Sequence, residues 1–246
     1  MKKIISTIAI ALAVAITAQA QRTFVLVTGV SSYSDSGNNL QQTTKDAKAF
    51  KAVIEKHTKD VTILTSKYAN RENIMEKLRA ICNRATAKDR VVFFFSGHGT
   101  PGGIVTYDKV IRYSELTSML GGSQAKEKIC FVDACHAGSV VSHSTGKYEL
   151  ADSNSGNRGM IFFMSCRADE YSTENPWVGA GFFTQALLKG IRGKADTDGD
   201  RKITVMELFR YIYKDVGHST RGFPRPQHPQ LIAPKSAYNS VVVEWN

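Results

Sequence analysis

A histidine and a cysteine follow two apolar runs of the chain, where they could form a nucleophile and its base. His98 follows Val91–Phe95, and Cys135 follows Ile129–Val132. A neighbouring imidazole lowers the pKa of a thiol and supplies the proton that a leaving amine needs. Gly99, which has no side chain, lets a backbone N–H approach a developing oxyanion. These residues predict acyl chemistry through a cysteine nucleophile.

Two other interpretations of the pair stay open. Each residue alone could be structural, His98 in a turn after a strand and Cys135 as a small buried side chain. A zinc site could use His98, Cys135 and His136, but the chain has no C-x-x-C or H-x-x-x-H pair. Adjacent residues of a strand also point to opposite sides, so Cys135 and His136 would not face one ion. The catalytic pair is favoured.

The elements that position this pair predict an α/β fold. Several predicted strands are apolar throughout, which is typical of a parallel sheet covered by helices on both faces. The predicted strands are Phe24–Val30, Val61–Leu64, Val91–Phe95, Ile129–Val132, Met160–Met164 and Val241–Trp245. The predicted helices are Thr44–His57, Asn70–Arg84, Tyr113–Leu120, Phe182–Ile191 and Val205–Val216. In such folds sites form beyond the carboxyl ends of the strands.

The composition and the amino terminus suggest an exported globular protein. The chain has 246 residues, 42% hydrophobic, with a formal charge of +10, which excludes collagen-like and wholly disordered classes. Residues 1–20 have a basic start, an apolar run and Ala18-Gln19-Ala20, which predicts a secretory signal peptide cut before Gln21. Residues 21–246 would form one domain, periplasmic or extracellular, with no membrane contact. No basic run stands beside aromatic residues, so we expect no nucleic-acid partner.

The two strand-end motifs resemble a known family. FFFSGHGT, followed 37 residues after its His by FVDACHAGS, resembles the caspase-like cysteine peptidases, most closely the metacaspase branch, here in a bacterial exported form. Residues 39–50, 165–170 and 181–184 extend the resemblance. It implies a three-layer α-β-α sandwich with a mostly parallel sheet of about six strands. It also implies peptide hydrolysis through a thioester, with Cys135 as nucleophile and His98 as general base and acid. The Gly99 and Cys135 backbone N–H groups would form the oxyanion hole, and no third catalytic residue is required.

The same resemblance implies a preference for basic substrates. In metacaspases the positions matching Asp46, Ser96 and Asp133 line the primary specificity pocket, and two acids there favour Arg or Lys before the cleaved bond. Residues two apart on a strand share a face, so the Asp133 carboxylate should face the pocket of Cys135. Asp46 has another interpretation, a first-turn acid that interacts with the helix dipole. Two other functions stay open, a catalytically silent interaction module and a Cys-His transpeptidase or acyltransferase.

Three further expectations concern a loop, a metal and assembly. Residues 136–159 form a long loop at the site of the caspase linker. It contains Lys147, after which self-cleavage would suit the predicted specificity. Acidic residues with EF-hand spacing could form a Ca²⁺ site, although Arg201 replaces the usual glycine and Glu207 also fits a capping box. The predicted chemistry requires no cofactor. We expect a monomer with Val241–Val243 as an edge strand, buried cysteines at positions 82 and 130, and no disulfide framework. The acidic residues of the Ca²⁺ expectation are Asp196, Asp198, Asp200 and Glu207.

Overall fold

A computed structural model describes residues 21–134, 159–167, 174–175, 180–224 and 226–245. The predicted signal peptide, Cys135 and His136, and the predicted loop up to residue 158 with its Lys147 lie outside these described residues. The fold and the candidate site are therefore built from the remaining parts of the chain.

The described residues form thirteen strands and five α-helices, numbered in chain order. The strands are β1 (Thr23–Gly29), β2 (Val61–Thr65), β3 (Arg90–Ser96), β4 (Gly99–Thr100), β5 (Gly103–Val105), β6 (Val110–Arg112), β7 (Glu127–Asp133), β8 (Met160–Met164), β9 (Glu174–Asn175), β10 (Ala180–Gly181), β11 (Lys202–Thr204), β12 (Gln230–Ile232) and β13 (Val241–Glu244). The helices are α1 (Thr43–Ile54), α2 (Arg71–Arg84), α3 (Tyr113–Gly121), α4 (Phe182–Lys189) and α5 (Val205–Thr220).

Six strands form the central sheet in the order β12-β8-β7-β3-β1-β2. The five strands from β8 to β2 are parallel, and only β12 runs antiparallel to its neighbour. The four innermost strands are almost wholly buried, which explains their continuous apolar sequences. The predicted α/β fold with a mostly parallel sheet of six strands is confirmed.

Helices cover both faces of this sheet. One face carries Phe24, Leu26 and Phe93, which pack with the apolar sides of α2 and α3. The other face carries Val25, Val27 and their neighbours, which pack with α1, α4 and α5. Alternate residues of each strand thus enter two separate cores, as the period of a β-strand requires. The result is the three-layer α-β-α arrangement that the sequence predicts.

Two features of the sheets differ from the sequence expectation. The expected edge strand at Val241–Val243 lies in β13, but it is not part of the central sheet, because β13 pairs with β11 in a separate two-stranded sheet. The guanidinium of Arg90 holds this segment by donating hydrogen bonds to the carbonyls of Val241 and Val242. The sixth strand of the central sheet is instead β12, and a three-stranded sheet of β4, β5 and β6 directly follows His98.

The described cysteines are buried thiols without a disulfide. Among the described residues, Cys82, Cys130 and Cys166 form no disulfide, and each is at most 4% exposed. The expected burial of Cys82 and Cys130 is confirmed. Within the described part of the chain, no helix has the length and apolar character needed to cross a membrane.

Candidate active site

The site is built where β3 and β7 end side by side. Ser96, the last residue of β3, lies opposite Asp133, the last residue of β7. Past these ends, the Gly97 amide donates a hydrogen bond to the Asp133 carbonyl at 3.1 Å. His98 therefore leaves the sheet beside the point where the chain continues through Ala134 to Cys135. The parallel register brings the two predicted motifs to one edge of the sheet.

The imidazole of His98 has a defined partner. Its Nε2 lies 2.8 Å from the backbone carbonyl oxygen of Asn38. A carbonyl oxygen only accepts hydrogen bonds, so in the neutral ring Nε2 carries the proton and Nδ1 is the basic nitrogen. The Asn38 carbonyl therefore fixes both the tautomer and the orientation of the imidazole ring.

The turn that presents the Asn38 carbonyl is held by local side chains. Asp35 accepts hydrogen bonds from the Gly37 amide and from the Asn38 side chain, at 3.0 and 3.2 Å. Asn39 accepts a hydrogen bond from the Tyr33 amide at 2.9 Å. Asp and Asn commonly fold such turns by bonding to the backbone a few residues away. Asn38 is exposed, but the turn around it is held in one conformation by these hydrogen bonds.

Tyr33 contacts His98 twice. Its hydroxyl accepts a hydrogen bond from the His98 backbone N–H at 2.8 Å. The centroids of its ring and the imidazole are 4.8 Å apart, with the planes tilted by 40°. Tyr33 itself is only 7% exposed. A buried aromatic residue thus fixes both the backbone and the ring of the predicted base.

The backbone of Gly99 is oriented by the hairpin that follows. Val105 donates its N–H to the His98 carbonyl at 2.9 Å, so these two residues form a hydrogen-bonded pair. Such pairs alternate with non-hydrogen-bonded ones in an antiparallel ladder. The next pair, Gly99 with Ile104, is therefore of the second kind, and the Gly99 N–H points away from β5. This geometry suits a donor to an oxyanion.

Asp46 and Ser96 form one buried pair at this edge. Both are 2% exposed, and the Ser96 hydroxyl donates to Asp46 Oδ2 at 3.1 Å. Asp46 lies in the first turn of α1, so it also fits the interpretation based on the helix dipole. Ser96 links the two acids, because it bonds to Asp46 and lies opposite Asp133 in the sheet.

Asp133 caps a helix from outside. Its Oδ2 accepts hydrogen bonds from the hydroxyl and the backbone N–H of Thr184, at 2.7 and 3.2 Å. Thr184 is the third residue of α4, and its backbone N–H is one that the side chain of an N-cap residue would normally bind. The N-cap here is Gly181, and a Cβ on it would lie 2.5 Å from Asp133 Oδ2. Glycine at 181 leaves room for the carboxylate, which lies at the N-terminus of α4, where the helix dipole favours a negative group.

The structure thus brings His98, Gly99, Asp46, Ser96 and Asp133 to one edge of the sheet, while Cys135 lies outside the described residues. Sequence reasoning missed the Asn38 carbonyl, because any residue type can present a backbone oxygen. It also assigned no role to Tyr33 or Thr184. The short distance of Tyr33 from the end of β1 could have indicated its position but not its partner.

The acidic segment at residues 196–207 is a tightly bonded turn. Carboxylate oxygens of Asp196, Asp198 and Glu207 lie within 4.8 Å of one another. Asp196 accepts from the Gly199 and Arg201 amides, and Glu207 caps α5 through Thr204. Arg201, at the usual glycine position, has a φ of 66°, in the left-handed region. The capping box is confirmed, and Ca²⁺ binding, including any part of Asp200, stays a prediction.

Comparisons with known proteins agree with this geometry. A family model described as the caspase domain matches residues 22–238, so the chain belongs to the caspase-domain family of cysteine peptidases, which act on polypeptides. The structure is similar to that of caspase-1 from Spodoptera frugiperda, with 14% identity, a TM-score of 0.65 and coverage of 86% of this chain and 88% of that one.

A second solved structure shares the fold. A protein from Geobacter sulfurreducens has 19% identity and a TM-score of 0.65, over 89% of this chain and 96% of that one. No curated protein sequence matches the chain significantly. At these identities the solved structures show the caspase fold alone, so the chemistry has to be argued from the residues of this chain.

Proposed function

We propose that the chain is a cysteine endopeptidase that hydrolyses peptide bonds after Arg or Lys, with Cys135 as nucleophile and His98 as base. One observation carries the proposal. The in-register ends of β3 and β7 place His98, two buried acids and the residue before Cys135 at one edge of the sheet. A cysteine that follows Ala134 directly is then within reach of a basic imidazole nitrogen.

The proposed reaction follows from the tautomer of His98. Nδ1 takes the thiol proton, and the Cys135 sulfur attacks the carbonyl carbon of the substrate. The oxyanion that forms is stabilised by the Gly99 and Cys135 N–H groups. His98 then gives its Nδ1 proton to the leaving amine, which leaves a thioester on Cys135. A water attacks the thioester after losing a proton to His98, and the acid product and the thiol are released.

The preference for Arg and Lys is supported by the kind of bond that holds each acid. Ser96 and Thr184 are neutral donors, so their hydrogen bonds orient the carboxylates of Asp46 and Asp133 without cancelling their charge. A carboxylate in a site of low dielectric attracts a guanidinium or ammonium group more strongly than it would in water. A substrate with Asp or Glu before the cleaved bond would be repelled by the same carboxylates.

A panel of fluorogenic peptides that differ only in Arg, Lys or Asp before the reporter group tests the proposal. We expect turnover of the Arg and Lys peptides and a fall in kcat of about 10⁴-fold or more in Cys135→Ala and His98→Ala. Turnover of the Asp peptide alone would overturn the proposed specificity. No turnover, together with no labelling of Cys135 by an arginyl chloromethylketone, would favour the silent interaction module.

Hydrolysis and transfer share the thioester and need a separate measurement. With a peptide amine added in excess, a transferase would form a longer peptide, whereas the proposed endopeptidase releases mainly the free acid. Mass spectrometry of the products separates the two. A dominant ligated product would replace the endopeptidase by the transpeptidase. Activity in EDTA is expected to equal activity with Ca²⁺, since the proposed chemistry uses no metal.

A further inference from the structure

Ala134, the residue before the predicted nucleophile, has both its backbone N–H and its carbonyl bound by the side chain of Ser165. The Ser165 hydroxyl accepts a hydrogen bond from the Ala134 N–H at 3.1 Å and donates one to the Ala134 carbonyl at 3.0 Å. The Cys166 thiol lies 3.3 Å from the same carbonyl and donates to it as well. Ala134, the residue directly after β7, thus has its carbonyl bound by two side chains of the segment after β8.

This contact is anchored deep in the fold. The side-chain amide of Gln227 donates to the Ser165 carbonyl at 2.6 Å. The backbone N–H of Gln227 donates to the Thr220 hydroxyl at 3.1 Å. Thr220, in the last turn of α5, donates in turn to the Val216 carbonyl. Ser165, Gln227 and Thr220 are all 0% exposed. A buried, bonded network of this kind fixes its members in one geometry.

The geometry points to Ser165 as a positioning residue for catalysis, supported by Gln227 and assisted by Cys166. This inference rests on the proposed function. The Ala134 carbonyl and the Cys135 N–H belong to one amide, which is planar and trans. Donors that fix the direction of the carbonyl therefore fix the opposite direction of the N–H. The same donors polarise the amide and make its N–H a stronger donor to the oxyanion.

A purely structural role predicts something different. If the Ser165 bonds only satisfied a buried strand end, their loss would lower stability and leave the chemistry of each folded molecule unchanged. Ser123 provides a matched control. It is also buried, donates to the Cys82 carbonyl at 3.0 Å and accepts from the Ala125 amide at 3.3 Å. Ser123 is not part of the carboxyl edge of the sheet, where the predicted site lies.

The test compares Ser165→Ala with Ser123→Ala on an Arg peptide. We expect kcat to fall about 10- to 100-fold in Ser165→Ala with KM nearly unchanged, because the interaction acts on the oxyanion and not on substrate binding. Ser123→Ala should lose comparable stability and keep its kcat. If kcat of Ser165→Ala, corrected for the folded fraction, equals that of Ser123→Ala, the inference is overturned.

A second readout isolates the oxyanion. An arginyl peptide aldehyde adds the Cys135 sulfur to its carbonyl carbon, and the carbonyl oxygen becomes the hydroxyl or oxyanion of a thiohemiacetal. Iodoacetamide alkylates the same sulfur and releases iodide, without an oxyanion. Ser165→Ala should weaken aldehyde binding at least tenfold and leave the alkylation rate unchanged. Equal losses in both reactions would show a general disturbance of the site and overturn the inference.

Cys166→Ala provides a second test of the inference if Ser165→Ala does not fold. It removes the weaker donor to the Ala134 carbonyl, so we expect a two- to fivefold loss of kcat with the same selective effect on the aldehyde. An unchanged kcat in this variant, where Ser165→Ala is not folded, counts against the inference. A wild-type chain that turns over no peptide overturns the proposed function itself, and the inference then falls with it.

Discussion

At the amino edge of the central sheet, Arg90 of β3 faces Glu127 of β7. Six residues later, at the carboxyl edge, Ser96 and Asp133 occupy the matching positions of the same two strands. Arg90 donates two hydrogen bonds to Glu127 Oε2, at 2.9 and 2.6 Å. Asp133 instead accepts from the neutral hydroxyl and the N–H of Thr184. One edge cancels a buried charge, whereas the other orients a charge without cancelling it by these bonds.

The difference separates stability from function. A buried ion pair such as Arg90–Glu127 is neutral as a unit, and breaking it leaves one charge buried without its counter-charge. An acid that accepts hydrogen bonds from a helix N-terminus and a hydroxyl is stabilised by neutral donors, and these donors do not neutralise its charge. A cavity of about 540 Å³ lies at the amino edge, lined by Lys56, His57 and Trp245 among others. Its described lining residues include neither His98 nor Gly99, Asp46 or Asp133.

The largest effect is expected at the carboxyl edge. Asp133→Asn keeps an oxygen for the Thr184 donors but removes the negative charge. We expect kcat/KM for Arg peptides to fall about 10²- to 10³-fold, the range for losing one partner of a buried charge pair. Steady-state kinetics with Arg and uncharged peptides measure the effect. An equal loss for both peptides would assign Asp133 to capping α4 alone.

The matched change at the amino edge should act on stability. Glu127→Gln leaves the Arg90 guanidinium without a counter-charge at a position where both side chains are about 10% exposed. We expect a loss of about 3 kcal/mol in the free energy of unfolding in urea, and a kcat/KM per folded molecule within about twofold of wild type. A Glu127→Gln protein that is stable but inactive would contradict the separation of the two edges.

A smaller effect is expected from the hydroxyl that holds His98. Tyr33→Phe keeps the ring against the imidazole and removes the acceptor of the His98 N–H. We expect kcat to fall about fivefold, corresponding to about 1 kcal/mol for one hydrogen bond, with KM unchanged. Tyr113→Phe is the control, because the buried Tyr113 hydroxyl has no hydrogen-bond partner among the described residues. Equal kcat values in both variants would leave Tyr33 without a role in positioning.

The smallest effect concerns acid stability near the amino edge. Asp89, just before β3, binds Arg22, and this pair together with hydrogen bonds from Thr86 holds the pKa of Asp89 well below its usual value of 3.8. A carboxyl whose pKa is lower in the folded state stabilises the fold above the pKa of the unfolded chain and loses that contribution as pH falls. Urea unfolding at pH values from about 5 to about 2 measures this contribution. The free energy of unfolding should fall less steeply with falling pH in Asp89→Asn than in the wild type. An identical decline would contradict the assignment.

Much of this molecule could be predicted from sequence, for physical reasons that also explain the failures. The apolar strands and the motifs after Phe95 and Val132 indicated both the parallel sheet and the edge with His98 and Asp133. The predicted strand Val241–Trp245 is a strand over Val241–Glu244, but its pairing with β11 and its hydrogen bonds from Arg90 join it to distant parts of the chain. Gln230–Ile232 has three residues beside prolines, too few for a periodic pattern.

The contacts that refine the site were beyond sequence reasoning for a similar reason. The Asn38 carbonyl and the Ala134 amide are backbone groups, which carry no sequence signature. Thr184 has an ordinary position in the first turn of a helix, and its link to Asp133 crosses 51 residues of chain. Such links depend on how α4 docks against the sheet, which local propensity does not determine.

Because three thiols are buried, the rate at which each one is alkylated measures how often the native fold opens around it. Burial raises the pKa of Cys82 to about 11, so at neutral pH about one molecule in 10⁴ carries its reactive thiolate. Cys130 and Cys166 are fully enclosed. An alkylating reagent in excess therefore modifies these three sulfurs only when the structure around each one opens. Mass spectrometry of the labelled peptides over time would report three local opening rates within a single core.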